Sequence, residues 1–99
     1  MDSEGDATKL SQDQVEQVMR KAQGPLEPCM VEARRRDPEV VQARVEVVVD
    51  QRGRILASRV NGKRYSPLAR CMHRRLRPIR FPPSGVRRTV AAFTIGIPH

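Results

Sequence analysis

From Ser11 onward the apolar positions follow two rhythms. Val15, Val18, Met19 and Ala22 recur at i, i+3, i+4 and i+7, one stripe of a 3.6-residue helix. Ser11 opens that helix: its hydroxyl can accept from a free backbone N–H of the first turn, and Gln14 three residues later completes a capping box. Gly24-Pro25 and Pro28 interrupt the stripe, because proline lacks the N–H and crowds the carbonyl four residues earlier, so a kink or a restart is expected there. Leu26, Cys29, Met30 and Ala33 resume helical spacing to about Arg36, and Asp37-Pro38 ends the run. Arg34, Arg35 and Arg36 complement the negative end of that helix and need no ligand to explain them.

The rhythm then shortens to two. Ala43, Val45, Val47 and Val49 share one face of a strand, and Arg44, Glu46 and Asp50 share the other. Gln51-Arg52-Gly53 makes a tight connection in which Gly53 can take a positive φ, and residues 54–60 return antiparallel. After the turn residues Asn61-Gly62, Ser66 at the cap and Pro67 at the first helical position predict a second helix. Leu68, Cys71, Met72 and Leu76 form its buried stripe, Arg70, His73, Arg74 and Arg77 its wet face, and Pro78 stops it. A proline-flanked segment, residues 79–83, leads through Ser84-Gly85 into a last strand over residues 89–97. The order α-β-β-α-β predicts an α+β fold: a three-stranded antiparallel sheet with both helices packed on one face, in two layers around one core. Residues 1–10 are polar and without period and read as a linker or terminus, which leaves residues 11–99 as the domain. If the closing strand lies outermost, its unpaired N–H and C=O groups are a template for a strand from a partner.

Composition sharpens this picture in one respect. The chain of 99 residues carries a net charge of +8, yet all 11 acids lie in residues 1–50, against 7 lysines or arginines. Residues 51–99 hold 12 lysines or arginines and no carboxylate, so the halves carry −4 and +12. Such a field attracts nucleic acid, lipopolysaccharide or an acidic protein. It is also what a GC-rich genome produces at exposed positions, arginine outnumbering lysine 16 to 3. With only Tyr65, Phe81 and Phe93 aromatic, the stacking platforms of single-stranded nucleic-acid binders are missing. No apolar run approaches the roughly 20 residues that span a bilayer, so no membrane insertion is expected within this segment. The first six residues are acidic where a signal peptide would be basic and then apolar.

The stretch VEVVVDQRGRILASRV, followed by a helix, then RFPPSG and a final strand, resembles the C-terminal domain of TonB-type energy transducers. It is closest to the version called the AgmX/PglI C-terminal domain, found in envelope and gliding-motility proteins of myxobacteria and their relatives. That family places one cysteine in each helix; the matching positions here are Cys29 in CMVEARRRDP and Cys71 in LARCMHRRL. The resemblance covers about residues 14–97, although the Tyr-Pro pair that typically precedes the first helix in TonB itself is absent. It implies the same α-β-β-α-β fold, a periplasmic or envelope location as part of a longer membrane-anchored protein, and an envelope or motility-complex partner.

Both cysteines fall on apolar stripes of helices that the expected fold packs together, and spacing and resemblance together favour a Cys29 to Cys71 bridge. The alternative is two reduced, buried thiols, as expected in cytosol if the chain starts at Met1. Cys71 and His73 point to different helix faces and make no nucleophile and base pair. Cys29, Cys71, His73 and His99 lack the short paired spacings of a structural zinc site. No nucleophile elbow, phosphate-binding glycine loop or paired-histidine zinc motif occurs, so neither an enzyme nor a cofactor is expected. Three readings remain. In the first, an extended segment of an envelope protein pairs with Ala91, Ala92, Phe93, Thr94 and Ile95, main-chain bonds supplying affinity and side chains such as Phe93 selectivity. In the second, Arg70, Arg74 and Arg77 grip the phosphates of nucleic acid or lipopolysaccharide. In the third, two copies pair edge strands around a twofold axis.

Overall fold

The computed structural model describes residues 10–96. All but the last residue of the expected linker, together with Ile97 and His99, lies outside them. Leu10, the last residue of that segment, packs against the core.

The first helix, α1 (Gln12–Arg36), begins as the capping box requires: the Ser11 hydroxyl accepts from the Gln14 N–H at 3.1 Å, and the Gln14 side chain accepts from the Ser11 N–H at 2.9 Å. It does not restart at the prolines. It runs as one helix of 25 residues through Pro25 and Pro28. Each proline costs about 3 kcal/mol in a helix interior. Burying a large apolar side chain stabilises by roughly 1.5–3 kcal/mol, and Leu26, Cys29 and Met30 beyond the break are buried on the same stripe as Val15, Val18 and Ala22. Lys21, Gly24, Pro25 and Pro28 all lie on the exposed side, where water can serve the carbonyls that lose a donor.

Strand β1 (Gln42–Asp50) is central, with β2 (Ile55–Val60) and β3 (Arg88–Gly96) antiparallel on either side in the order β2-β1-β3. Helix α2 (Pro67–Leu76) starts at Ser66, whose hydroxyl accepts from the Ala69 N–H, with Pro67 in its first turn. Both helices cover one face of the sheet, α1 packing on α2 and β3, and α2 on β2. Ala43, Val45, Val47 and Val49 are fully buried beneath them, with Leu26, Met30, Met72 and Leu76. The opposite face of the sheet carries Arg44, Glu46 and the exposed Val90.

A disulfide joins Cys29 of α1 to Cys71 of α2. One expectation is overturned beside it. His73 does not sit on the wet face of α2; it is half-buried, and its Nδ1 lies 2.9 Å from the Ser58 hydroxyl of β2. Polar Ser58 sits on the buried face of β2, opposite Val47, and its hydroxyl needs a partner there, which the imidazole supplies.

At the end of β1, Asp50 holds the hairpin together. Its Oδ1 accepts from the backbone N–H groups of Arg52 and Arg54, each at 2.9 Å, and its Oδ2 from the Arg54 guanidinium at 3.0 Å. The Arg54 backbone N–H is the main reason the carboxyl titrates below the usual aspartate value; partial desolvation opposes it, and the Arg54 side chain and the Arg52 N–H add to it. A lowered folded-state pKa contributes stability that is complete above the unfolded value and is lost as pH falls through the folded one. The stability of the domain should therefore fall more steeply with acidification below about pH 4 than that of Asp50→Asn. Urea midpoints across that range check this, and parallel slopes for the two proteins would contradict it.

Candidate functional site

The two edges of the sheet are not equivalent. Strand β2 is short, and its pairing with β1 shifts register where Val48 and Val49 face Ala57 and Ile55. At one end Val60 exchanges both its backbone bonds with Lys63, and at the other Arg54 is bridged to Arg80. These devices blunt an edge. Among the described residues strand β3 has none of them: nine residues pair with β1 in unbroken register from Arg88 opposite Asp50 to Gly96 opposite Gln42.

The register also decides which main-chain groups of β3 face outward. The Arg44 N–H donates to the Asn61 side chain and its carbonyl accepts from the Asn61 N–H, while the Asp50 N–H donates to the Arg54 carbonyl. The even-numbered residues of β1 thus turn their backbone toward β2. Alternation turns Ala43, Val45, Val47 and Val49 toward β3, where they meet Ile95, Phe93, Ala91 and Thr89. The main-chain groups of Val90, Ala92 and Thr94 are left pointing away from the sheet.

Sequence reasoning singled out residues 91–95 as a block, and the structure divides them. Ala91 and Ile95, each 4% exposed, give their side chains to the core and their backbone to β1. Phe93 also spends its backbone on β1, but its half-buried ring lines a groove of about 340 Å³. Ala92 and Thr94 supply the outward backbone groups. The far wall of the groove is the N-terminal half of α1, through Gln12, Val15, Glu16, Met19, Arg20 and Gln23. An open strand edge beside a mixed polar and apolar trough can take an extended chain by main-chain pairing and sample its alternate side chains.

The arginines of α2 lie elsewhere. Arg70 and Arg74 line a wider groove of about 580 Å³ that runs over the disulfide between α1 and α2, together with Arg36, Leu68 and Tyr65. Arg77, at the C-cap of α2, is exposed and not among its lining residues. The disulfide occupies both sulfur atoms, so Cys29 and Cys71 offer no thiolate to a metal, and among the described residues no three histidines, cysteines or carboxylates gather into a metal-binding group. Among the described residues, no helix is long and apolar enough to cross a membrane.

Sequence reasoning missed Lys63 and the segment 80–84, which close the β2 edge and so single out β3. The signal for Lys63 was weak: Asn61 and Gly62, both at positive φ, fold the chain back onto Val60. No family model, curated protein or solved structure matches the chain.

Proposed function

We propose that this domain is a non-catalytic interaction module of the bacterial cell envelope that binds an extended partner segment along the outer edge of β3. The observation that carries the reading is the row of outward main-chain groups on Val90, Ala92 and Thr94, in a regular nine-residue strand bordered by a groove. The disulfide supports an oxidising compartment such as the periplasm, since such bonds are rare in reducing cytosol. The resemblance to TonB-type terminal domains supports the same address and a protein partner.

Thr94→Pro tests it. Proline deletes one outward donor and leaves the ladder to β1 intact, because Thr94 donates nothing to β1 and proline is tolerated on edge strands. Peptides selected from a random display library against the wild-type domain should lose about tenfold or more in affinity for the folded variant. Neutralising Arg70, Arg74 and Arg77 together should leave their affinity unchanged. Unaltered binding to Thr94→Pro sinks strand addition, and loss confined to the triple arginine variant moves the site to α2. A dimer seen by sedimentation and dissolved by Thr94→Pro would make the guest strand a second copy of this chain.

A further inference from the structure

Five arginines lie across the end of the sheet where β3 begins, and two of them, Arg87 and Arg88, stand on the β3 edge. Arg88 starts β3 opposite Asp50; Arg87 precedes it; Arg52 and Arg54 belong to the hairpin that Asp50 closes; and Arg80 is bridged to Arg54 on the far, β2 side of the sheet. All five are exposed. Asp50 is the carboxylate at this end, and its oxygens are already engaged by two backbone N–H groups and by the Arg54 guanidinium. Among the described residues, no carboxylate lies within 4.0 Å of the guanidinium groups of Arg52, Arg80, Arg87 or Arg88. Like charges held together repel, and an opposite charge brought by a partner relieves that repulsion while steering its approach.

The position of Arg87 and Arg88 carries the inference. They sit where a strand added to β3 would arrive, and Arg88 projects from the same sheet face as Thr94, Ala92 and Val90. A guest residue opposite Arg88 would have its side chain on that face, in cross-strand contact. The existing sheet is antiparallel throughout, and antiparallel pairing is slightly the more stable per residue. Resting on the strand-addition reading above, we infer that the partner is a segment that pairs antiparallel with β3 and carries aspartates or glutamates at its C-terminal end, where Arg87 and Arg88 receive them. The groove beside Ala92 and Phe93 reads the body of the segment, and the arginine end sets its direction and register.

Three synthetic peptides test this on the whole chain: an alternating threonine and valine strand closed by two aspartates, the same strand closed by two asparagines, and one with the two aspartates moved to its N-terminus. The first should bind about tenfold more tightly than either of the others. Arg87→Gln/Arg88→Gln should erase that advantage and leave the asparagine peptide unaffected, and about 0.5 M salt should shrink it. Both arginines are exposed, and circular dichroism of the double variant confirms that it stays folded. Equal affinity for all three peptides, with each still lost in Thr94→Pro, overturns the acidic-end assignment and leaves strand addition standing. An advantage that survives the double arginine variant, or that belongs to the N-terminal aspartates, also overturns it. Failure of all three peptides to bind removes strand addition and this inference together. A duplex oligonucleotide that binds more tightly than the first peptide, and is lost in the double arginine variant, assigns the cluster to nucleic acid instead.

Discussion

Gly53→Ala destabilises the domain by about 3 kcal/mol or more, a loss reserved for substitutions that force buried backbone to move. Gly53 has φ of +88°, and its carbonyl accepts from the Phe81 N–H at 2.9 Å while its own N–H donates to the Asp50 carbonyl at 3.0 Å. A Cβ built there falls on the carbonyl oxygen of Phe81. That neighbour is backbone and has no rotamer to escape into, so the segment must lift away from the hairpin. Lifting it draws Phe81, 2% exposed, out of the core and strains the bond from the Ser84 N–H to the Gln51 carbonyl. Gly62→Ala provides the internal control, since Gly62 has φ of +78° but nothing within 4 Å of the added carbon. It should cost only the roughly 1–2 kcal/mol of a left-handed conformation. Urea unfolding of both variants separates the steric from the conformational contribution, and equal losses would show that the contact with Phe81 relaxes freely.

The contrast between those glycines marks the boundary of what local pattern can reveal. The positive φ of Gly53 follows from a two-strand rhythm broken by Asp-Gln-Arg-Gly, and the caps at Ser11 and Ser66 follow from residues three positions apart. Strand order needed little more, because β1 alone has a continuous buried face of valines and takes the centre. What local pattern does not contain is contact between distant segments. Nothing around residue 53 announces that residues 80–84 will pack against it, and that packing is what narrows the open edges of the sheet to β3. The facing of His73 failed for a related reason. Helical spacing assigns a face only to within the rotation of the helix, and a polar Ser58 on the core side of β2 turned the balance. At the candidate site, periodicity identified the strand but not the parity of its backbone, which depends on Arg44 and Asn61 exchanging bonds across the other side of β1. The division of Ala92 and Thr94 from Ala91, Phe93 and Ile95 is thus a tertiary fact with a local appearance.

Removing the disulfide should have the other large effect. Cys29 and Cys71 are 42 residues apart, and closing a loop of that length restricts the unfolded chain by about 4 kcal/mol on the chain-entropy account. A domain of this size is typically stable by roughly 5–15 kcal/mol, so Cys29→Ala/Cys71→Ala is left with a marginal fold. The loss should also be uneven. The bridge fastens α1 just beyond Pro25 and Pro28, which deprive the helix of two hydrogen bonds, so the stretch from Gly24 to Arg36 is held by tertiary contacts more than by its own ladder. Without the bridge, amide hydrogen exchange should quicken first across that stretch, before the β1 and β3 ladder opens. Unfolding of the oxidised domain with and without reductant, beside the double variant, measures the total. The reduced protein and the double variant should agree. A midpoint that reductant leaves unchanged would mean that the bridge adds nothing the helix packing does not already provide, and it would remove the physical reason for placing this domain in an oxidising compartment.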